Sequence, residues 1–238
     1  MSYETFSYYY DSLMDPSFYD EYHQFIKDHA RFTTVLELGC GTGELAIRLS
    51  KNKKVVYATD LSKDMLEVAR LKAMNNNVDL ILGRVDMSDF SIDQKVELIL
   101  CTCDSLNYLL TTKDVKNTFK NCYQSLKKEG TFIFDVNSIY KMNVILDNYH
   151  EHEEDDEFYF DWLVEPLSFG KVKHSIEIID KESKECVKET HIQQTYEIDK
   201  YISMLKKVGF ENIEIYSDFK EYKEDGERVL FVCHKGVK

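Results

Sequence analysis

Three glycines, Gly39, Gly41 and Gly43, follow the apolar run Val35-Leu-Glu-Leu38 and lead into Leu45-Ala-Ile-Arg-Leu-Ser50. This order reads as a strand, a tight turn and the start of a helix. Glycine lets the backbone turn sharply and approach a ligand where a Cβ would stand in the way. Glu37 sits two positions before the first glycine, and Asp60 closes a second apolar run, Val55-Val-Tyr-Ala-Thr59. A carboxylate about twenty residues beyond a glycine turn is placed to hydrogen-bond a ribose diol. The chemistry these residues suit is nucleoside binding.

Spacing separates the nucleoside cofactors. Dinucleotide sites use G-x-G-x-x-G, with the third glycine packing the helix on the sheet. Here the third glycine comes one residue early and Glu44 takes the packing position. A carboxylate there opposes a pyrophosphate, which depends on the positive helix end. A nicotinamide-dependent oxidoreductase, NAD(P) on a similar sheet, is the alternative this spacing disfavours. The pattern Glu37-x-Gly39-x-Gly41-x-Gly43 instead resembles motif I of the class I S-adenosylmethionine (SAM) methyltransferases.

The surrounding elements must hold this turn. Strands are expected at 33–38, 54–59, 78–82, 96–101 and 130–136, and helices at 43–51, 62–74 and 112–128. Strand–helix alternation with nearly all-apolar strands implies a parallel sheet covered on both faces. Residues 1–30 are read as a helical cap, with Ser17 capping a helix, Asp20 three residues on, and Tyr22, Phe25, Ile26 and His29 on one face. The rhythm breaks after Asp135. Residues 147–165 hold nine acidic side chains and no Lys or Arg, and lead into a meander of about three strands near 158–164, 171–180 and 186–196. The α/β pattern then resumes with a helix at 198–208, Gly209 as its C-cap, and strands at 211–216 and 228–234. The expected division is a SAM-binding domain, 1–137 with 198–238, and an inserted β subdomain, 138–197.

The closing helix, Val208-Gly-Phe210 and two strands also resemble the end of class I methyltransferases, whose last strand runs antiparallel. Phe6-Ser-Tyr-Tyr-Tyr-Asp-Ser-Leu-Met14 and Phe134-Asp-Val-Asn137 add a resemblance to the small bacterial YqeM-like methyltransferases, and leave the methyl acceptor open. The resemblance implies a Rossmann-like sheet, SAM as cofactor, and roles by position. Glu37 belongs to the motif, and Gly39, Cys40 and Gly41 would pass under the methionyl part, offering backbone groups. Asp60 would take the ribose hydroxyls, with Leu61 and Met65 flanking the adenine. Asp86 would accept from the adenine amino group and Met87 would offer its N–H to the ring. The Cys101 carbonyl region and Asp104 would face the methionyl group, while Asn107 and Tyr108 edge the substrate. Asp104 is equally placed to cap the following turn, and the alternative for Asp86 is to cap the turn before Phe90. Tyr8, Tyr9 and Tyr10 would close over the sulfonium, or pack a first helix.

Composition bounds the rest. A net charge of −13 disfavours a phosphate-backbone partner. The amino terminus shows no basic-then-apolar leader, and no apolar run reaches the ~18 residues of a membrane span. Six scattered cysteines without a CxxC pair read as reduced cytoplasmic thiols and no metal site. His150 and His152, amid Glu151, Glu153, Glu154, Asp155 and Asp156, read as a solvated acidic loop before a divalent-cation site. The function expected is methyl transfer to a small molecule; a non-catalytic SAM-binding module is the second alternative. A homodimer stays open. The insertion leaves the sheet after its fifth strand, where ligands of open α/β sheets bind, so it is expected to roof the acceptor.

Overall fold

Strand β1 (Thr34–Leu38) is buried at every position but its first, as a strand covered on both faces must be. It lies between β2 (Val55–Asp60) and β4 (Val96–Cys101), parallel to both. The computed structural model describes Asp11, residues 15–51 and residues 54–236. The sheet has eight strands in the order β11-β10-β12-β5-β4-β1-β2-β3. Strands β3 (Ile81–Arg84) and β5 (Leu126–Asn137) extend the parallel set. Beyond β5, β12 (Arg228–His234) runs antiparallel, paired on its other side with β10 (Asn212–Ser217). A two-residue strand, β11 (Lys220–Glu221), ends the sheet.

Alternation along these strands sends side chains to two cores. On one face α4 (Thr112–Ser125) and α5 (Ile198–Val208) pack Phe119, Cys122, Tyr201 and Leu205 against Leu36, Phe132, Phe134 and Phe231. On the other, α1 (Pro16–His29) and α2 (Glu44–Ser50) bring Tyr22, Phe25, Leu45 and Leu49 onto Val35, Val56, Leu98 and Ile133. Burying one such side chain contributes about 1.5–3 kcal/mol, so every helix is fixed by its apolar stripe. Helix α3 (Lys63–Asn75) covers the β2–β3 edge.

The structure moves some boundaries. Asp15, not Ser17, caps α1: its carboxylate accepts from Ser17 N–H (2.8 Å), Pro16 fills the first turn, and Asp20 pairs with Arg48 instead. Val78 N–H still donates to Ala73 O, so β3 starts three residues late. Helix α4 stops at Ser125 and β5 begins at once.

The insertion is a second sheet of four strands, in the order β6-β7-β8-β9. Its strands are β6 (His150–Glu154), β7 (Phe158–Ser168), β8 (Lys171–Asp180) and β9 (Cys186–Gln194), all antiparallel. The acidic segment read as a loop is therefore the edge strand β6. Of its five residues, all polar, only Glu151 is part-buried, so no apolar alternation marks it. His150 and His152 both turn to Asp161 across the strand pair (2.8 and 3.3 Å).

Candidate active site

The glycine loop sits where β1 gives way to α2. Gly39, Gly41 and Gly43 all have positive φ, at 70°, 52° and 81°. A Cβ on Gly39 would lie 2.6 Å from Ser105 Oγ, whereas one on Gly41 would meet nothing within 4 Å. Gly41 thus borders open space at the mouth of the sheet. The loop is tied to β2: Cys40 N–H donates to Thr59 O (2.9 Å) and Gly41 N–H to Asp60 Oδ2 (2.9 Å). These two amide hydrogens are engaged within the chain, and Cys40 O and Gly39 O accept in turn from Gly43 N–H (2.9 Å) and Ser105 Oγ (3.3 Å). Thr42 Oγ1 and Lys72 Nζ both donate to Asp11 (2.6 Å each), bringing the amino-terminal segment to the loop. Tyr8, Tyr9 and Tyr10 lie outside the described residues. Glu44, the residue in the packing-glycine position, is neutralised by Arg48 and Lys72.

Two carboxyls converge under this loop. Asp60 accepts from both Gly41 and Ser62 N–H, and its burial raises its pKa despite those bonds. Glu37 is 2% exposed, and among the described residues Oε2 has no hydrogen-bond partner. Burial first, and Asp60 second, push its carboxyl up to about 8. Glu37 is therefore mostly neutral at pH 7, and ready to ionise against a cation.

The turn after β4 is the second half of the site. Cys103 and Asp104 are consecutive non-glycine residues in the left-handed region, φ 55° and 50°. Each such residue costs about 1–3 kcal/mol and persists only where its surroundings over-determine it. They do so here. Cys103 N–H donates to the Tyr22 hydroxyl (3.2 Å) and Asp104 N–H to Asp135 Oδ2 (2.9 Å). The Asp104 carboxylate accepts from Arg228 Nη2 (3.0 Å) and Gln193 Nε2 (2.7 Å), and makes no bond to the helical turn that follows. Asp104 is thus an ion-pair partner, not a turn cap. Arg228 also pairs with Asp135, which is fully buried, and Phe18 covers the guanidinium at 5.0 Å. Burial alone would depress Arg228, but Tyr22, Asp135 and Asp104 outweigh it and hold it protonated. The sequence reading missed Arg228, Gln193 and the role of Asp135. One signal was available for Asp135, a carboxylate inside the apolar run of β5.

The remaining expected residues surround these two halves. Met87 lies over Gly39, and its Sδ accepts from Cys101 Sγ (3.9 Å) in a fully buried contact for Cys101. Asp86 takes the capping option, accepting from Ser88 N–H and Oγ (2.8 Å each). Leu61 is exposed at the β2 end, and Met65 packs on Phe160, Ile178 and Val187 of the inserted sheet. Asn107 is fully buried and its amide is engaged on both sides: Nδ2 donates to Gln194 O (2.9 Å), and Oδ1 accepts from Asn137 N–H (2.8 Å). It fastens β9 rather than facing open space. Tyr108 is 48% exposed and meets the His191 ring edge-on at 5.8 Å. Among the aromatics of the inserted segment, Trp162 shares the face of Phe160 and packs in the cluster that includes Met65. Tyr159 falls on the opposite face, Phe169 stands exposed at the β7–β8 tip, and Tyr196 lies beyond β9 against Lys200.

Residues 35–130 match the family described as "Methyltransferase domain". A protein of Geobacillus sp. (strain WCH70), named as an expected methyltransferase, is 38% identical over 99% of this chain and 100% of its own length. YqeM of Bacillus subtilis (strain 168), named likewise, is 32% identical over 99% of this chain and 98% of its own. The crystal structure of a SAM-dependent methyltransferase from Clostridium acetobutylicum ATCC 824 superposes with a TM-score of 0.88 at 29% identity, covering 98% of this chain and 99% of that one. With the glycine loop, the β2 carboxylate and the reversed β12 already in place, these likenesses identify the chain as a member of the class I SAM-dependent methyltransferases, in the group that includes YqeM.

Proposed function

We propose that this enzyme methylates a small-molecule acceptor, neutral or cationic, held between the carboxyl ends of the parallel strands and the inserted sheet. The observation that carries this reading is the latch joining the two sheets. Gln193 bonds Asp104, Asn137 Nδ2 donates to Gln193 Oε1 (3.1 Å), and Asn107 bonds the Gln194 carbonyl, so β9 lies directly on the β4 turn. In open α/β sheets that end is the ligand side. Residues 138–197 then act as a substrate roof, set beside a SAM-binding domain of residues 1–137 and 198–238.

The residues suit the cofactor. Gly41 leaves open the volume a Cβ would fill, and Glu37 keeps a buried, partnerless oxygen beside the loop. Asp60 would hold the ribose hydroxyls. Leu61, Met65, Asp86 and Met87 would border the adenine, while Gly39, Cys40, Gly41, Cys101 and Asp104 line the methionyl side with Glu37 beneath. When bound, SAM supplies an electrophilic methyl group on a sulfonium. The chain's task is then alignment more than proton transfer, and alignment alone lowers such a barrier by up to roughly 7–11 kcal/mol. Free thiols at all six cysteines support a reducing, cytoplasmic setting; among the described residues no helix is long and apolar enough to cross a membrane.

The test is a labelling experiment. Purified enzyme is incubated with methyl-labelled SAM and a cell extract divided into a small-metabolite and a macromolecular fraction. Label should appear in the metabolite fraction. Label confined to protein or nucleic acid would overturn the small-molecule reading.

A further inference from the structure

Buried carboxyls are compensated at one end of this site and not at the other. At the β4 turn Asp104 and Asp135 share the Arg228 guanidinium. Under the glycine loop Glu37 and Asp60 converge. Among the described residues no Lys, Arg or His pairs with either of them, and residues 1–14 contain none of the three. The ionisable groups that face Glu37 are Asp60 at the end of β2, Cys40 in the loop, and Cys101 and Cys103 on β4 and its turn. Burial pushes all three thiols up, so they stay neutral and none is a countercharge.

The two carboxyls differ in their company. Asp60 accepts from Gly41 and Ser62 N–H (2.9 and 2.8 Å), bonds that favour its ionised form. Glu37 is 2% exposed, and among the described residues its Oε2 has no donor. An unpaired buried carboxylate is costly and a second one beside it more so. At neutral pH the pair therefore carries one proton, held on Glu37, whose carboxyl is raised by burial and then by Asp60 to about 8. A positive charge with no proton to give would take that proton's place. SAM brings one on sulfur, and S-adenosylhomocysteine, identical but for the missing methyl group, has a neutral thioether there.

Resting on the cofactor reading above, we propose that Glu37 is a specificity-determining residue: it releases its proton to solvent when SAM binds and keeps it when S-adenosylhomocysteine binds, so the site distinguishes the two by the charge on sulfur. The effect needs no direct contact, since an opposite charge within about 4–6 Å favours the ionised carboxyl. Once methyl transfer has left a neutral thioether, Glu37 has lost its countercharge and takes one proton back from solvent. The Glu37 proton balance over a turnover is zero.

The test counts protons. Full-length enzyme is titrated calorimetrically with SAM and with S-adenosylhomocysteine, in buffers of different ionisation enthalpy. With SAM, wild type should release close to one proton more than Glu37→Gln; with S-adenosylhomocysteine the two proteins should match. The ratio of SAM to S-adenosylhomocysteine affinity should climb by up to about tenfold per pH unit more steeply in wild type than in the variant, between roughly pH 6 and 7.5. The amino group of either ligand titrates against both proteins, so the comparison isolates Glu37. Infrared difference spectra of the wild type make the same point without a variant, and decide it alone if Glu37→Gln does not fold. SAM should bleach the carbonyl band of a protonated carboxyl, and S-adenosylhomocysteine should leave it. Equal proton release by wild type and Glu37→Gln with SAM, or an acid band that SAM leaves intact, would overturn the inference. Failure of the wild type to bind either ligand would instead strike at the cofactor reading.

Discussion

Replacing Arg228 by methionine removes the cation at the centre of the buried network while keeping an unbranched chain of similar reach. Asp135, fully buried, would lose its ion-pair partner, and its Oδ1 has no hydrogen-bond partner among the described residues. Removing one member of a buried pair costs about 3–5 kcal/mol, because the other charge is left uncompensated. In a domain of this size each kcal/mol moves the melting midpoint by roughly 2–4 °C, so Arg228→Met should lower it by roughly 6–20 °C. Asp104 keeps its Gln193 bond and is less affected.

Two further readouts separate this account from a loss of bulk. Asp135 already sits above the usual carboxylate range through burial, with Arg228 pulling the other way. Without Arg228 it takes up a proton more readily. A carboxyl with a raised folded pKa contributes its stability at low pH and loses it as pH rises, so the deficit of Arg228→Met should be smaller at pH 5.5 than at pH 8. The double variant Arg228→Met/Asp135→Asn removes both charges and should recover at least half of the loss, since replacing a whole buried pair is often near neutral. Circular dichroism melts of wild type, Arg228→Met and the double variant decide it. A midpoint within about 2 °C of wild type for Arg228→Met, or a double variant no better than the single, would refute the reasoning. Calorimetry on the folded single variant should also show SAM affinity about tenfold weaker, as one relaxed left-handed residue at the β4 turn is worth about 1–2 kcal/mol.

Asp60→Ala should weaken SAM at least about tenfold by calorimetry, a charge-assisted hydrogen bond being worth about 1.5–3 kcal/mol; unchanged affinity in a folded variant would remove Asp60 from the site. Gly41→Ala should cost about 1–2 kcal/mol of stability from its positive φ yet reduce SAM binding severely, because its Cβ enters the open space. Gly39→Ala should destabilise more, through Ser105; equal melting midpoints for the two would count against the loop geometry. Glu37, raised from 4.5 to about 8, carries a proton in the folded chain that the unfolded chain releases across that window. Stability of the ligand-free enzyme should therefore fall by about 1.4 kcal/mol per pH unit between roughly pH 5 and 8, and Glu37→Gln should flatten that slope in urea titrations.

Much of the frame was legible because its signals are local. Glycines at 39, 41 and 43 announce a turn only they accept without strain, and the apolar runs of β1, β2 and β4 could only be interior strands. What was not legible depended on distance or on missing contrast. Arg228 and Asp135 are 93 positions apart, Gln193 and Asp104 89, and nothing local marks either pair. Strand β6 is exposed on both faces, so hydrophobic alternation could not reveal it. The helix-1 cap was ambiguous because Asp15 and Ser17 flank Pro16 and either can cap; Pro in the first turn favours the residue before it. Asn107 was placed at the right turn, but its amide is consumed by β9, which only the packing of the insertion decides.

The β4 turn explains why the insertion leaves the sheet where it does. One short segment, Cys103 to Tyr108, is pinned from below by Tyr22, Asp135 and Arg228 and from above by Gln193 and the Gln194 carbonyl. The same segment reaches the glycine loop through Ser105 Oγ, which donates to Gly39 O (3.3 Å). Glycine loop, ion-pair network and inserted sheet therefore meet at one strained turn. Any group that steadies this turn from the glycine-loop side also steadies β9, through Gln193 and the Gln194 carbonyl, and the coupling must work equally in reverse. A roof hung elsewhere on the sheet would cover the ligand end without this link. Joined here, the inserted sheet is held by the same contacts that hold the glycine loop, and under the proposed reading that relative alignment is the main thing the protein contributes to a displacement reaction.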